Sequence, residues 1–271
     1  MKEKKKTNIK IILIKTIRIL VISYLTILIF LFFKQKDMIY YPDYPETSSF
    51  YECNNFKINE QKKYNWTRFY EKKWTNENLI IFFHWNAWSA CSRYKMKNIL
   101  EQTWSSFIFV EYYWYSDLDT NNKPNIEKIL QDTKNIWEYI KNSDYKQIYA
   151  VWRSVWTWPA SYYAGNFKTD KLLLISPYNQ LYKVASDKYP FFPIKLLFSE
   201  NYNSEKYLKN YKWELLIIHW NNDKVIPFFL GKEIYDWINT NIKELFEIDN
   251  WNHNDILYYE GVSEKIIKFL N

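Results

Sequence analysis

Apolar residues follow two different patterns along this chain. Over residues 11–33 they run almost unbroken, interrupted by a few polar residues and by Lys15 and Arg18 near the start. These 23 residues suffice to span a bilayer as a helix, and both charged side chains can extend toward the headgroups. A cleaved leader needs a small-residue site on the far flank, and Phe33-Lys34-Gln35-Lys36-Asp37 offers none. The expectation is a retained transmembrane anchor over 11–33, preceded by a basic tail over 1–10.

Beyond residue 38 the apolar positions break into short runs at 79–83, 107–110, 147–151, 172–175, 215–218 and 245–248. Segments long enough for helices separate them, at about 92–102, 126–141, 155–164, 228–238 and 256–270. Runs this continuous belong to strands buried on both faces, so the predicted class is α/β, with a mostly parallel central sheet covered by helices on both faces. Met38 to Tyr41, before Pro42, reads as a first extended segment. With no internal repeat or low-complexity linker, residues 38–271 form one expected domain. Over about 178–210 the pattern changes, with Tyr189-Pro190-Phe191-Phe192-Pro193 at its centre. That segment reads as a cap or lid insertion, or else as a helical connection that completes the core.

Charge sharpens the membrane reading. The first 37 residues carry nine basic and two acidic side chains, which accounts for the whole net charge of +7. A basic tail beside a neutral domain points to the lipid bilayer as partner and excludes a phosphate-binding face for nucleic acid. Lysines ahead of the span predict a cytoplasmic N-terminus and a domain on the outer side, although Lys34 and Lys36 flank the other end. Cys53 and Cys91 are too few for a disulfide framework and lack metal or redox spacing.

Composition holds one anomaly: 3 glycines against 14 tryptophans, where average usage gives about 19 glycines. Many of the tryptophans sit in turn contexts that favour glycine, such as His84-Trp85-Asn86-Ala87-Trp88-Ser89, Asn65-Trp66-Thr67 and Asn250-Trp251-Asn252-His253. Some bacteria read UGA as glycine, and a gene of that kind translated with UGA as tryptophan would give this pattern. The expectation is therefore glycine at many of these positions in the native protein.

The chemistry centres on residues 147–160. A buried strand ends at Val151, a turn carries Ser154, and a helix follows. With glycine at 152 and 156 this is G-x-S-x-G, the turn that lifts a nucleophilic serine clear of a strand end. Two indoles there are expected to crowd strand against helix and oppose the bend. Further motifs agree in order and spacing: Ile39-Tyr40-Tyr41-Pro42, His84-Trp85-Asn86-Ala87, Tyr113-Trp114-Tyr115-Ser116, His219-Trp220-Asn221-Asn222-Asp223 with Val225-Ile226-Pro227, and Trp251-Asn252-His253-Asn254-Asp255. From about residue 38 to the C-terminus the chain resembles the α/β-hydrolase family, in its membrane-anchored branch of depalmitoylase-like and monoacylglycerol-lipase-like enzymes. Tryptophan stands here where that family has glycine.

The resemblance implies an α/β-hydrolase fold and a Ser-Asp-His triad. Of the three histidines, His84 and His219 each end an apolar strand, where the family uses them structurally. His253, late in the chain, then falls to the general base. Asp223 matches the position of the acid; Asp249 and Asp255 are rivals nearer to His253 in sequence. The resemblance further implies oxyanion donors from the backbone N–H of Val155 and of Asn86 or Ala87. Arg153 could contact an acidic group or lie solvated at the surface. No metal-ligand spacing and no phosphate-cradling loop emerges, so neither metal nor cofactor is expected. The expected activity is cleavage of ester or thioester bonds, in an acyl lipid or an acylated protein, through an acyl-enzyme. The alternatives are a serine peptidase and a membrane-tethered, non-catalytic binding protein of the same fold.

Overall fold

The computed structural model describes residues 2–41, 56, 60–84, 86, 89–112, 124–200, 202–249 and 253–271. All six apolar runs form strands: β3 (Asn78–Phe83), β4 (Ser106–Glu111), β5 (Gln147–Arg153), β6 (Lys171–Ile175), β7 (Glu214–Trp220) and β8 (Lys243–Ile248). They pair in parallel in the order β4-β3-β5-β6-β7-β8. Side chains alternate between two cores. Leu79, Ile81 and Phe83 of β3 point to one, and Ile80 and Phe82 to the other. Helices α3 (Ile126–Ile140), α4 (Thr157–Asn166) and α8 (Phe228–Trp237) cover the first face; α2 (Tyr94–Glu101) and α9 (Glu260–Leu270) cover the second.

Two strands were not foreseen. β1 (Gln61–Tyr64) and β2 (Thr67–Lys72) form a hairpin that extends the sheet antiparallel through β2 and β4. β1 reads Gln-Lys-Lys-Tyr, a polar edge with no apolar run to betray it. Asn65 at φ 53 supplies the left-handed residue of the tight turn.

The N-terminal helix α1 (Lys2–Ile39) has 38 residues, about 57 Å at 1.5 Å per residue. It is long and apolar enough to cross a membrane, and none of its most apolar stretch is buried against the domain. The extended segment expected at Met38 to Tyr41 is corrected: the helix runs through Ile39, and the Tyr40 N–H still donates to the Lys36 carbonyl at 2.9 Å. Proline disfavours helix only for the residue directly before it, here Tyr41. Tyr40 is buried, and its hydroxyl meets Glu200 at 2.8 Å and also Tyr202.

Between β6 and β7 lie α5 (Leu181–Lys188), α6 (Ile194–Leu197) and α7 (Ser204–Leu208), with a bridge between Gln180 and Asn203 closing their base. α7 lies against α4 at Gly165, where a Cβ would stand 2.1 Å from the Tyr207 carbonyl oxygen. Only glycine permits that approach. Cys91, beside α2, is disulfide-bonded.

Candidate active site

The sheet reverses its winding at β3: β4 lies on one side of it and β5 on the other. Open parallel sheets present their ligand crevice at the carboxyl ends of the strands at such a point. Ser154 follows β5 there, at φ 64. A non-glycine residue held in this region costs about 1–3 kcal/mol and marks a site the surroundings over-determine. The next residues close a 3-10 turn, Ser154–Trp156, and α4 begins at Thr157.

Two other strand ends deliver the partners. His253 follows β8, and its Nε2 lies 2.6 Å from Ser154 Oγ. Asp223 follows β7, and its Oδ2 lies 2.8 Å from His253 Nδ1. The second carboxylate oxygen, Oδ1, accepts the backbone N–H groups of Val225 at 2.7 Å and Ile226 at 2.9 Å. With one oxygen held by the main chain, the other is fixed toward the imidazole. Three residues separated by up to 99 positions thus form one continuous hydrogen-bonded line, all three buried.

Burial raises the Asp223 carboxyl, but the hydrogen bond and charge of His253 and the backbone N–H groups of Ile226 and Val225 outweigh it, leaving the pKa below its ordinary value. Burial lowers the His253 pKa; Asp223 opposes this, while Arg153 and Lys188 push in the same direction. The imidazole is therefore neutral near pH 7 and able to take a proton from Ser154.

Arg153 is not a solvated surface residue. It is buried, and Nη2 of its guanidinium donates to the main-chain carbonyl of His253. Burial lowers its pKa to about 10, against the charges of Asp223 and Asp255, so it stays charged at neutral pH. Sequence reasoning missed this tie, because nothing local to Arg153 points to a carbonyl 100 positions away.

The other histidines stand apart from the nucleophile. His84 lies buried against Tyr112, its Nε2 3.4 Å from Glu111. His219 Nε2 meets the Ile226 carbonyl oxygen at 3.0 Å, and burial holds its pKa at about 4. Gly231 of α8 makes room for that ring, since a Cβ there would lie 2.2 Å from Nδ1. Of the rival acids, Asp249 accepts from Asn221, and Asp255 acts electrostatically on Arg153.

Of the oxyanion candidates, Val155 lies in the turn directly after Ser154. The side chain of Asn86 bridges to the end of α1: Nδ2 donates to the Ile39 carbonyl at 2.7 Å and Oδ1 accepts the Tyr41 N–H at 3.1 Å. Ala87, the Tyr113-Ser116 motif and Trp251-Asn252 lie outside the described residues.

The bend forms with an indole on each side of it. Trp152 packs toward Phe83, with ring centroids 5.4 Å apart, and Trp156 stacks on Tyr112 at 5.6 Å. Both side chains lie in the first core, the layer between the sheet and helices α3, α4 and α8.

This arrangement of sheet and helices is the α/β-hydrolase fold. Among solved structures, an esterase of Pyrococcus furiosus superposes with a TM-score of 0.61 at 12% identity, covering 79% of this chain and 87% of that one. Est1E from Butyrivibrio proteoclasticus, with ferulic acid bound, gives 0.60 at 14% identity, covering 78% and 98%. In sequence, the "Putative alpha/beta hydrolase" of Acanthamoeba polyphaga mimivirus is 27% identical over 186 residues, 67% of this chain and 68% of that one. An uncharacterized protein of the same virus is 26% identical over 196 residues, 65% of this chain and 67% of that one. No family model matches the chain.

Proposed function

We propose that this chain is a membrane-anchored serine hydrolase that cleaves ester or thioester bonds of acyl lipids or acylated proteins. The observation that carries the reading is the line Ser154–His253–Asp223, with contacts of 2.6 and 2.8 Å. His253 takes the hydroxyl proton as Ser154 Oγ attacks the acyl carbonyl, and Asp223 stabilises the imidazolium. Backbone N–H groups of Val155 and of Asn86 or Ala87 receive the developing oxyanion. His253 then protonates the leaving alcohol or thiol, and water, deprotonated by the same histidine, releases the acid from the acyl-enzyme. An esterase among the solved neighbours agrees with this chemistry.

For membrane anchorage, the support is a helix whose apolar side chains face outward along its length and whose far end is integral to the domain. Ile12, Leu20 and Phe33 are 63%, 63% and 75% exposed, whereas Tyr40 is buried. A cytoplasmic basic tail and an outer-side domain complete this reading, on the lysines ahead of the span. The anchored, depalmitoylase-like branch and native glycine at many tryptophan positions belong to the same reading. For the glycine, the support is Trp104 at φ 56, just past α2, where a helix end favours glycine. Peptide sequencing of the native protein that finds tryptophan at 104, 152 and 156 removes that part alone.

The activity is tested by fluorophosphonate labelling. Label on Ser154 that disappears in Ser154→Ala supports the enzyme. An intact fold that takes no label supports the non-catalytic binding protein instead.

A further inference from the structure

Outside the triad, a cavity of about 370 Å³ opens between the end of α1 and the insertion, within the range of about 300–1,000 Å³ of small-ligand sites. Leu31 and Ile39 of α1 form one side, and Val184 of α5 and Leu197 of α6 the other. Asn86 and the pair Val225–Ile226, whose N–H groups hold Asp223, line it as well. Lys188 also lines it, close enough to His253 to lower its pKa. The cavity therefore runs from the anchor helix toward the catalytic line.

The insertion is fastened along α1 by side chains a mere tether would not use. The Gln35 amide donates to the Leu197 carbonyl at 3.3 Å and accepts the Ser199 N–H at 2.8 Å. Lys36 pairs with Glu200 at 3.1 Å. Farther up the helix, the Tyr24 hydroxyl donates to the Phe191 carbonyl at 3.1 Å, and the Tyr24 ring stacks on Phe192 at 5.5 Å. Tyr24 precedes Phe33, the last residue of the apolar run, by nine positions, about 13 Å along the helix axis. With α1 spanning the membrane, the tip of the insertion lies within the leaflet. Phe191 and Leu196, 86% and 85% exposed, are then apolar side chains facing lipid. Leu31 brings the mouth of the cavity to the membrane boundary.

We infer that α1 is one wall of an acyl-chain site, so that a single acyl chain of a bilayer lipid passes sideways from the leaflet, along α1, to the triad. The inference rests on the anchored-hydrolase reading for its chemistry, and its own content is the part played by the anchor. A tether could be exchanged for any other span. This helix contributes Leu31, Gln35 and Ile39 to the site.

The test uses the full chain in phosphatidylcholine vesicles. Leu31→Trp places an indole in the wall, and the ratio of dodecanoyl to acetyl p-nitrophenyl ester turnover falls about tenfold or more, while Leu13→Trp, on the far part of the helix, leaves that ratio unchanged. In Ser154→Ala, a diazirine-bearing palmitate cross-links to Val184 and to the Val225–Ile226 turn, and Leu31→Trp abolishes those adducts. An unaltered chain-length ratio in Leu31→Trp, or adducts confined to lipid-facing α1, overturns the inference even with Ser154 labelled by fluorophosphonate. Cavity adducts without any label on Ser154 leave the acyl site standing and overturn the hydrolase.

Discussion

Arg153 is the perturbation that separates a working triad from a fortuitous one. Its guanidinium donates to the main-chain carbonyl of His253, so removing it leaves Ser154, His253 and Asp223 chemically intact. A hydrogen bond from a charged donor contributes about 1.5–3 kcal/mol. If that energy holds the imidazole in reach of Ser154, Arg153→Met lowers kcat/KM by about 10- to 150-fold. Its charge has a second effect. Burial lowers the His253 pKa first, and Arg153 adds to that, so the wild-type rate rises with pH about a midpoint below the ordinary histidine value near 6.5. Below that midpoint the imidazole is protonated and cannot accept the serine proton. Without Arg153 the midpoint moves toward alkaline pH. Arg153→Lys keeps the charge without the fork, so its midpoint stays near wild type while the rate remains low. The assay is kcat/KM on a p-nitrophenyl ester from about pH 5 to about pH 9, with circular dichroism to confirm the fold. A folded Arg153→Met protein within threefold of wild type, with an unmoved acid limb, refutes the reasoning.

Three further outcomes follow from the same geometry. Asp223→Asn lowers kcat by about 10⁴ while the fold persists, and a loss below tenfold in steady-state assays would move the acid to Asp249 or Asp255. His219, with a pKa of about 4 from burial, favours the fold in its neutral form. Its stabilisation is complete above the unfolded value near 6.5 and is lost as pH falls toward 4, by about 3 kcal/mol. Denaturant melts of His219→Gln then show a shallower pH slope than wild type, and equal slopes contradict the assignment. Trp104→Gly relieves a left-handed backbone and raises stability by about 1 kcal/mol, read as a higher midpoint in the same melts; a lower midpoint counts against glycine at that position.

How much of this was legible depended on whether a feature is local. Buried parallel strands need apolar residues on both faces, so β3 to β8 appear as runs in the sequence. β1 is a polar edge whose partner alone makes it a strand, and it was invisible. The order Ser154, Asp223, His253 could be read because each follows an apolar run that becomes a strand, and the strand ends converge. The side-chain partners could not be read. Arg153 holding the His253 carbonyl, Asn86 holding Ile39 and Gln35 holding Leu197 each join residues 47 to 162 positions apart, and no local spacing encodes them. The end of α1 escapes local reading for a related reason: Pro42 limits its immediate neighbour, and the helix stops where Asn86 captures it.

The tryptophan question bears on the core more than on the line Ser154–His253–Asp223. The chain has glycine at 165 and 231, where a Cβ would meet Tyr207 and His219 at 2.1 and 2.2 Å. Trp152, Trp158 and Trp220 instead lie fully buried, with indole N–H groups that find no hydrogen-bond partner among the described residues. Each such group costs about 1–3 kcal/mol, so the indole-filled core carries a burden that glycine at these positions would remove. Replacing indoles by glycine would open space beside Phe83 and Tyr112, and those rings would have to close over it. Ser154 stands at its strand end because Val151 pairs in register with Phe82 on one side and Leu173 on the other. Asp223 and His253 follow from the pairing of β7 with β6 and β8. The three groups that meet are a serine, an aspartate and a histidine, so the identity of the residues at 152 and 156 bears on how tightly the bend is held, while backbone register decides which side chains it brings together.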